Sequence, residues 1–347
     1  MTTKSHKPLF RILLVAGLLL GGGGLWFYRI VYLSNVELGA KHSEYFYVHT
    51  GWTYADVLNS LEEHKIIKSR SSFDWVSKLK KYDKNIKPGR YRILENMSNR
   101  ALINMLRKGE QEPVHFTLNA VHSKQQLASR VGGKLEADSL VLLHMLNDDA
   151  YLSRFGMNSN TILTLFVPET YEFYWTTSAE EFMDRMAKEY KKFWTDDRKS
   201  RAHSIGLSQT EVITLASIVQ EEQSRYDDEK PVIAGVYLNR IHDHMPLQSD
   251  PTVRFVLGDY TVNRILSEDL HIESPYNTYL HTGLPPGPIC FPEASSVDAV
   301  LNHQKHKYLY MCAEFGTGRH NFAETFEQHK ANARRYREAL DEAGIKR

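Results

Sequence analysis

One apolar run near the N-terminus constrains this chain more than any other feature of its sequence. Residues 12–28 read ILLVAGLLLGGGGLWFY and carry no charge, and the run continues past Arg29 to Leu33. As a helix, residues 12–33 are about 33 Å long, which is enough to cross a hydrocarbon core of about 30 Å with Arg29 reaching the interface. We therefore predict a transmembrane helix over 12–33.

The charges before this run predict its orientation. Lys4, Lys7 and Arg11 precede it, and no acidic residue does. The positive-inside rule then gives a cytoplasmic tail over 1–11 and places the rest of a single-pass protein outside the cytoplasm, on the inner (cytoplasmic) membrane. A cleaved signal peptide is the alternative, but its apolar region would be unusually long and the nearest small-residue site, Gly39-Ala40, lies well downstream.

Length and composition bound what the exported part does. The 347 residues suggest about two globular units, and 43 basic against 42 acidic side chains argue against a nucleic-acid-binding protein. Two cysteines, Cys290 and Cys312, exclude a disulfide-dense scaffold and a four-cysteine zinc site, and leave open whether the two are bonded to each other. The histidine pairs lack a third ligand, and no nucleotide-binding motif is present, so we predict neither a metal nor a cofactor.

Apolar spacing predicts an α+β protein with two exported parts. Residues 34–45 are polar and are interpreted as a linker. Residues 46–135 alternate short strand and helix patterns and form a small α+β module, and residues 136–347 form a larger α+β domain.

The segment Ser208–Glu222 contains the candidate catalytic residue. Ser208 and Glu211 form a capping box, and Leu215, Ile218 and Val219 define one apolar face of the predicted helix. Glu222 continues that face, whereas Gln220 and Glu221 point away from it. A buried carboxyl has a raised pKa and suits a general acid, although a structural ion pair with Arg225 or Arg240 is the alternative role.

The same segment resembles a known signature. Ala216-Ser217-Ile218-Val219-Gln220-Glu221-Glu222 is similar to the Ala-Ser-Ile-Val-Glu-x-Glu motif of the YceG-like family of endolytic murein transglycosylases, with Gln220 in place of the first glutamate. The second glutamate of that motif is the family's catalytic residue and falls on Glu222. Further matching motifs are Lys87–Tyr91, Val167–Tyr171, Val236–Arg240, Leu247–Val253, Pro275–Tyr279, Thr282–Ile289, Tyr308–Tyr310 and His320–Phe322.

The resemblance implies a LysM-like module over 46–135 and a catalytic domain over 136–347. It implies endolytic cleavage of peptidoglycan glycan strands between N-acetylmuramic acid and N-acetylglucosamine, without water, to leave a 1,6-anhydro end. This reaction would terminate nascent strands beside peptidoglycan synthases at the inner membrane, and it needs one carboxyl that acts first as acid and then as base.

The matching motifs also supply candidate substrate-binding residues. Short polar groups can bond sugar hydroxyls and acetamido groups, aromatic rings can stack on pyranose faces, and each of these residues also has an ordinary structural role open to it. The candidates are Gln248, Asp250, Tyr276, Asn277, Tyr279, His320, Asn321 and Phe322.

Two other functions stay open at this point. A hydrolytic muramidase on the same scaffold would need a second carboxylate, for which Asp250 or Asp227 is available. A non-catalytic wall-binding or division scaffold would use the LysM-like module to bind glycan, with Glu222 as a structural acid.

Overall fold

The computed structural model describes residues 7–118, 121–260 and 265–343. The predicted tail over 1–11 therefore lies partly outside the described residues, as do the last four residues of the predicted catalytic domain. The described residues divide into two compact units, one of 7–114, 134–136 and 172–177, and one of 115–118, 121–133, 137–171, 178–260 and 265–343. Because the chain crosses between the units several times, the predicted boundary at 135/136 stays a prediction.

Among its described residues, the first unit has four α-helices, a short 3-10 helix over Tyr82–Lys84 and one antiparallel strand pair. Its elements are α1 Lys7–Tyr32, β1 Ser43–Val48, α2 Tyr54–Glu63, α3 Arg70–Leu79, β2 Gly89–Leu94 and α4 Asn99–Lys108. Strands β1 and β2 pair with Phe46 opposite Tyr91, and both side chains are buried in a core shared with the helices. The cap residues predicted for α4, Ser98 before it and Gly109 after it, are confirmed, and Gly109 adopts the left-handed conformation with φ 75°.

Helix α1 contains an apolar stretch long enough to cross a membrane. This stretch is Leu13–Tyr32, and its leucines are exposed to the extent of 69% at Leu18 and 79% at Leu20. The helix begins five residues before the predicted start of the span. The last two turns of α1 pack on the rest of the first unit, where the Trp26 ring meets the Trp75 ring edge-on with ring centroids 5.4 Å apart.

The predicted linker over 34–45 is wrong. Val36 is fully buried, and the Asn35 side chain donates to the Asn99 side chain over 2.7 Å. Backbone bonds join Val36 to Met97 and Glu37 to Ile66, so this segment is part of the core of the first unit. Its few apolar residues alternate with polar ones, and that alternation suits a paired edge rather than a free linker.

The second unit is mostly helical. Its elements, of which β3 and β4 each have residues in both units, are β3 Val114–Thr117, α5 Lys124–Gly132, α6 Ser139–Met145, α7 Asp149–Leu152, β4 Thr170–Phe173, α8 Ala179–Phe193, α9 Asp196–Ser204, α10 Gln209–Glu222, α11 Lys230–His242, α12 Asp250–Leu257, α13 Ala294–Leu301, β5 Tyr310–Ala313, β6 His320–Ala323 and α14 Phe326–Glu342. Helix α10 contacts α9, α11, α12 and α13, and it forms the centre of the core. Strands β5 and β6 form an antiparallel pair.

Candidate active site

Helix α10 carries the predicted acid into the second unit. Its capping box is confirmed, with the Glu211 backbone donating to Ser208 Oγ and the Ser208 backbone donating to Glu211 Oε2. The expectation of a single apolar face is wrong, because every residue from Val212 to Val219 is buried. The helix is enclosed on all sides, so helical phase alone does not separate Glu222 from its neighbours.

The Glu222 carboxyl receives two short hydrogen bonds on one oxygen. Tyr237 Oη donates to Oε1 over 2.6 Å, and Ser249 Oγ donates to the same atom over 2.5 Å. Burial raises the pKa of Glu222, and the two hydroxyl donors together with the charge of His320 only partly offset that rise. The carboxyl is thus held in one orientation and keeps its proton to a higher pH than an exposed glutamate.

The two donors come from different elements. Tyr237 is a buried residue of α11, fifteen positions after Glu222. Ser249 immediately precedes α12, and its backbone nitrogen donates to Thr278 Oγ1 over 3.0 Å. Gln248 before it has a positive φ of 51°, a left-handed conformation that turns the chain so that Ser249 reaches the carboxyl.

Five of the nine predicted site residues line one cavity of about 300 Å³. They are Glu222, Gln248, Asp250, Tyr279 and His320. Within it, Tyr279 Oη donates to Asp250 Oδ1 over 2.5 Å. The cavity is therefore rich in oxygen donors and acceptors, and two carboxyl groups face it.

The other four predicted residues do not line this cavity. Asn277 is fully buried, and its amide donates to the backbone carbonyls of Leu270 and Ile272 while its oxygen accepts from the Tyr279 backbone. Asn277 therefore fixes this loop, with both of its amide hydrogens used within the protein, and its substrate role stays a prediction.

Two of the predicted aromatic residues pack into the protein. The Tyr276 ring lies 4.8 Å from Phe255, and Phe322 stacks on Tyr308 at 5.7 Å. Both pack against the core of the second unit. Asn321 follows His320 in β6 and so faces the opposite side of the strand pair, because successive strand residues alternate.

Sequence reasoning missed the residues that hold the acid. Tyr237 and Arg240 are three positions apart in α11 and so share a helical face, a spacing present in the sequence. Arg240 is buried and donates to the backbone carbonyls of Leu309, Pro246 and Leu247, which fixes the segment leading to Ser249. No local pattern links Tyr237 to Ser249.

Glu221, which was predicted to point away from the apolar face, lies in a second cavity. This cavity has a volume of about 460 Å³ and is lined by His122, Pro168, Gln220, Glu221, Ser224, Arg254, Tyr260, Cys290, Phe291 and Glu293. Glu221 Oε1 lies 3.2 Å from His122 Nε2, and the exposed fraction of its side chain is only 24%. Gln220 is also bonded, accepting from Ser296 Oγ over 2.6 Å.

Asp227 is in a different environment from Asp250. Its carboxylate pairs with the buried Lys230 over 2.7 Å and is itself exposed, and it does not line the cavity of Glu222. Both cysteines are free thiols in this structure.

Comparison with known proteins shows the family to which this chain belongs. The sequence profile of the YceG-like family matches residues 46–335. The protein named endolytic murein transglycosylase of Streptococcus pneumoniae serotype 2 (strain D39 / NCTC 7466) is 30% identical over 362 residues. That match covers 94% of this chain and 65% of the pneumococcal protein.

Two further relatives extend the likeness along the chain. The protein of the same name from Bacillus subtilis (strain 168) is 29% identical over 331 residues, and 90% of each chain is covered. A solved structure of a YceG-like protein from Listeria monocytogenes is 27% identical with a TM-score of 0.57, covering 84% of this chain and 99% of that one.

Proposed function

This chain belongs to the YceG-like family, and we propose that it is an endolytic peptidoglycan transglycosylase whose acid and base are both Glu222. Its substrate is the bond between N-acetylmuramic acid and N-acetylglucosamine in nascent glycan strands, and its product is a 1,6-anhydro-muramyl end that terminates elongation. The observation that carries the proposal is the half-buried Glu222 carboxyl, held by two hydroxyl donors in a polar cavity.

The bonding of the carboxyl supports this double role. Tyr237 and Ser249 both donate to Oε1, so the transferable proton belongs on Oε2, for which the described residues supply no hydrogen-bond donor. Glu222 gives that proton to the oxygen of the leaving N-acetylglucosamine as the bond from that oxygen to muramyl C1 breaks. The carboxylate then takes the proton of the muramyl C6 hydroxyl as its oxygen closes on C1, so the acid is regenerated.

An internal hydroxyl needs no second carboxylate to activate water, because proximity supplies the nucleophile. Asp250 nevertheless faces the same cavity, which supports hydrolysis as the second candidate. Asp227 is not suited to that role, since Lys230 holds it outside the cavity.

Product analysis tests the proposal. Purified glycan strands are incubated with the full chain, and the released ends are identified by mass spectrometry. We expect internal cleavage with anhydro ends, which are lighter by one water than reducing ends. Reducing ends would establish the hydrolase instead, and binding without any product would establish the non-catalytic scaffold.

We also propose that α1 anchors the protein in the inner membrane, with the N-terminus cytoplasmic and both units outside. Its exposed apolar surface and the preceding Lys7 and Arg11 support this orientation. A reporter that works only in the cytoplasm, fused after Arg347, should be inactive. An active reporter would overturn both the compartment and the substrate. Peptidoglycan synthases at the same membrane are the proposed partners.

The β1-α2-α3-β2 order supports the proposal of a LysM-like glycan-binding module in the first unit. Such a module would position the enzyme on long strands. Deleting residues 46–114 while keeping α1 and the second unit should therefore slow cleavage of long strands more than that of short ones. An equal effect on long and short strands would show that the module acts only as a spacer.

A further inference from the structure

A buried carboxylate, that of Glu229, lies next to the cavity of Glu222 and has no part in the mechanism above. Glu229 immediately precedes α11, and its exposed fraction is 5%. Three donors converge on it. The His320 backbone donates to Oε1 over 2.9 Å, Gln223 Nε2 donates to Oε2 over 2.6 Å, and His320 Nδ1 lies 3.0 Å from Oε2.

These contacts join three segments around one imidazole ring. Gln223 is the residue directly after α10, so it follows Glu222, and its amide also donates to the Gly318 carbonyl over 3.1 Å. Its own oxygen accepts from the backbones of Arg225 and Tyr226, which fixes the amide orientation. The Glu229 carboxylate is thereby locked against the first residue of β6.

The ring of His320 connects this cluster to the proposed acid. Since Glu229 accepts from Nδ1, that nitrogen carries a hydrogen, and Nε2 is the ring nitrogen left for other partners. His320 lines the same cavity as Glu222. Among the described residues, His320 is the only cationic group paired with Glu229.

Buried carboxylates need a partner of opposite charge or several donors to stay ionised. Burial acts to raise the pKa of Glu229, but the hydrogen bonds from the His320 backbone, the His320 ring and Gln223 outweigh it, and the pKa is lowered. Glu229 therefore remains a carboxylate, and it holds the His320 ring by Nδ1.

We propose that Glu229 is a positioning residue, which with Gln223 holds the ring of His320 in place beside the carboxyl of Glu222. This inference rests on the proposed function and names residues to which that function assigned no role. Its consequence is electrostatic, because a cation beside Glu222 favours the carboxylate that removes the proton of the C6 hydroxyl.

Charged and titratable groups face Glu222 from every element packed around it. Helix α11 contributes Tyr237 and Arg240, the segment at α12 contributes Asp250, the loop before α13 contributes Tyr279, and β6 contributes His320. Of the two basic side chains among the described residues that line the cavity, Arg240 is held by backbone carbonyls, and His320 is the one that Glu229 holds.

The test is the pH profile of strand cleavage by the full chain in detergent micelles. Cleavage falls as the pH rises and Glu222 loses its proton. In Glu229→Gln the ring of His320 loses the carboxylate that holds it. Its charge, which lowers the pKa of Glu222, is then no longer fixed beside that carboxyl, so Glu222 should hold its proton to a higher pH. We expect the descending limb of kcat/KM to move up by about 1 pH unit, as for the loss of one opposite charge nearby.

Asp228→Asn is the matched control. Asp228 is the adjacent residue and pairs with Arg319 over 2.9 Å, but it is exposed and does not line the cavity. The descending limb of the kcat/KM pH profile of Asp228→Asn should coincide with that of the wild type. A shift equal to that of Glu229→Gln would overturn the inference. Coincident limbs for Glu229→Gln and the wild type would overturn it as well.

A second variant keeps the inference testable if the Glu229→Gln protein fails to fold. His320→Asn removes the ring and keeps the backbone bond to Glu229, so its limb should also move up, and an unmoved limb overturns the inference. A wild type that cleaves strands with anhydro ends upholds the proposed function whatever the variants do. A wild type without that activity overturns both proposals.

Discussion

Glu221 and Glu222 are consecutive residues at the end of α10, yet their carboxyls lie in two different cavities. Their pKa values are shifted in opposite directions. Burial acts to raise the pKa of both. For Glu221 the hydrogen bond and charge of His122 outweigh burial, and the pKa is lowered. For Glu222 the donors are mainly the hydroxyls of Ser249 and Tyr237, and the pKa stays raised.

In this pair, the partners decide whether a carboxyl whose pKa burial acts to raise becomes a carboxylate or keeps its proton. An adjacent imidazole brings a positive charge that favours the carboxylate, whereas a hydroxyl orients the carboxyl without bringing net charge. Glu221 is therefore suited to a structural ion pair. Glu222 is suited to keeping and transferring a proton.

Replacing Glu222 by Gln should have the largest effect on catalysis. Gln keeps the size of the side chain and can accept from Tyr237 and Ser249, but it has no transferable proton. We expect strand cleavage to fall by at least about 10²- to 10⁴-fold, the range for one general acid or base. The measurement is the release of anhydro-ended fragments, with thermal unfolding as the folding control.

Glu221→Gln is the matched control on the neighbouring residue, and most of the activity should remain. A near-normal rate for Glu222→Gln together with an inactive, folded Glu221→Gln would reverse the two roles. An unfolded Glu222→Gln would instead favour a structural role for that residue.

Removing one donor to Glu222 should have a smaller effect. Ser249→Ala and Tyr237→Phe each delete one hydrogen bond to the carboxylate, so each should raise the pKa of Glu222 further and move the descending limb of the pH profile upward. A hydrogen bond to a charged group contributes about 1.5 kcal/mol or more, which corresponds to about a tenfold loss in rate.

Tyr226→Phe provides the comparison for these two variants. Its hydroxyl donates to the Thr317 carbonyl, and the residue does not line the cavity of Glu222. The pH profile of Tyr226→Phe should match that of the wild type. If Ser249→Ala and Tyr237→Phe also match it, the two hydroxyls do not control the acid.

The smallest expected effect is on stability, and it has opposite signs at the two glutamates. The raised pKa of Glu222 contributes stability that is complete below the pKa of the unfolded chain and is lost as the pH rises through the folded value. Glu222→Gln should therefore gain in Tm relative to the wild type as the pH rises above about 4, by about 2 °C.

The lowered pKa of Glu221 contributes stability that is present above the unfolded pKa and is lost as the pH falls through the folded value. Glu221→Gln should be less stable than the wild type at neutral pH, by about 2 °C in Tm, and the difference should vanish in acid. Calorimetry from pH 3 to 7 checks both variants. Parallel Tm curves for the two would show that their surroundings are equivalent.

Short sequence patterns predicted several of the structural elements of this protein. The apolar run before Leu33 predicted the exposed helix α1, and Ser208 with Glu211 predicted the start of α10, because caps and hydrophobic length depend on neighbours within one or two turns. The family resemblance singled out Glu222. The linker over 34–45 failed because its burial depends on Met97 and Ile66, which are distant in the sequence.

The sequence singled out Glu222 and eight candidate substrate-binding residues, but their surroundings arise from contacts between distant segments. Gln248, Asp250, Tyr279 and His320 were named with Asn277, Tyr276, Asn321 and Phe322, but only the first four share the cavity of Glu222. The donors to Glu222 come from positions 15 and 27 residues away, and His122 reaches Glu221 across 99 residues. Solvation and charge around a side chain arise from such distant contacts, and helical spacing within α10 carries no record of them.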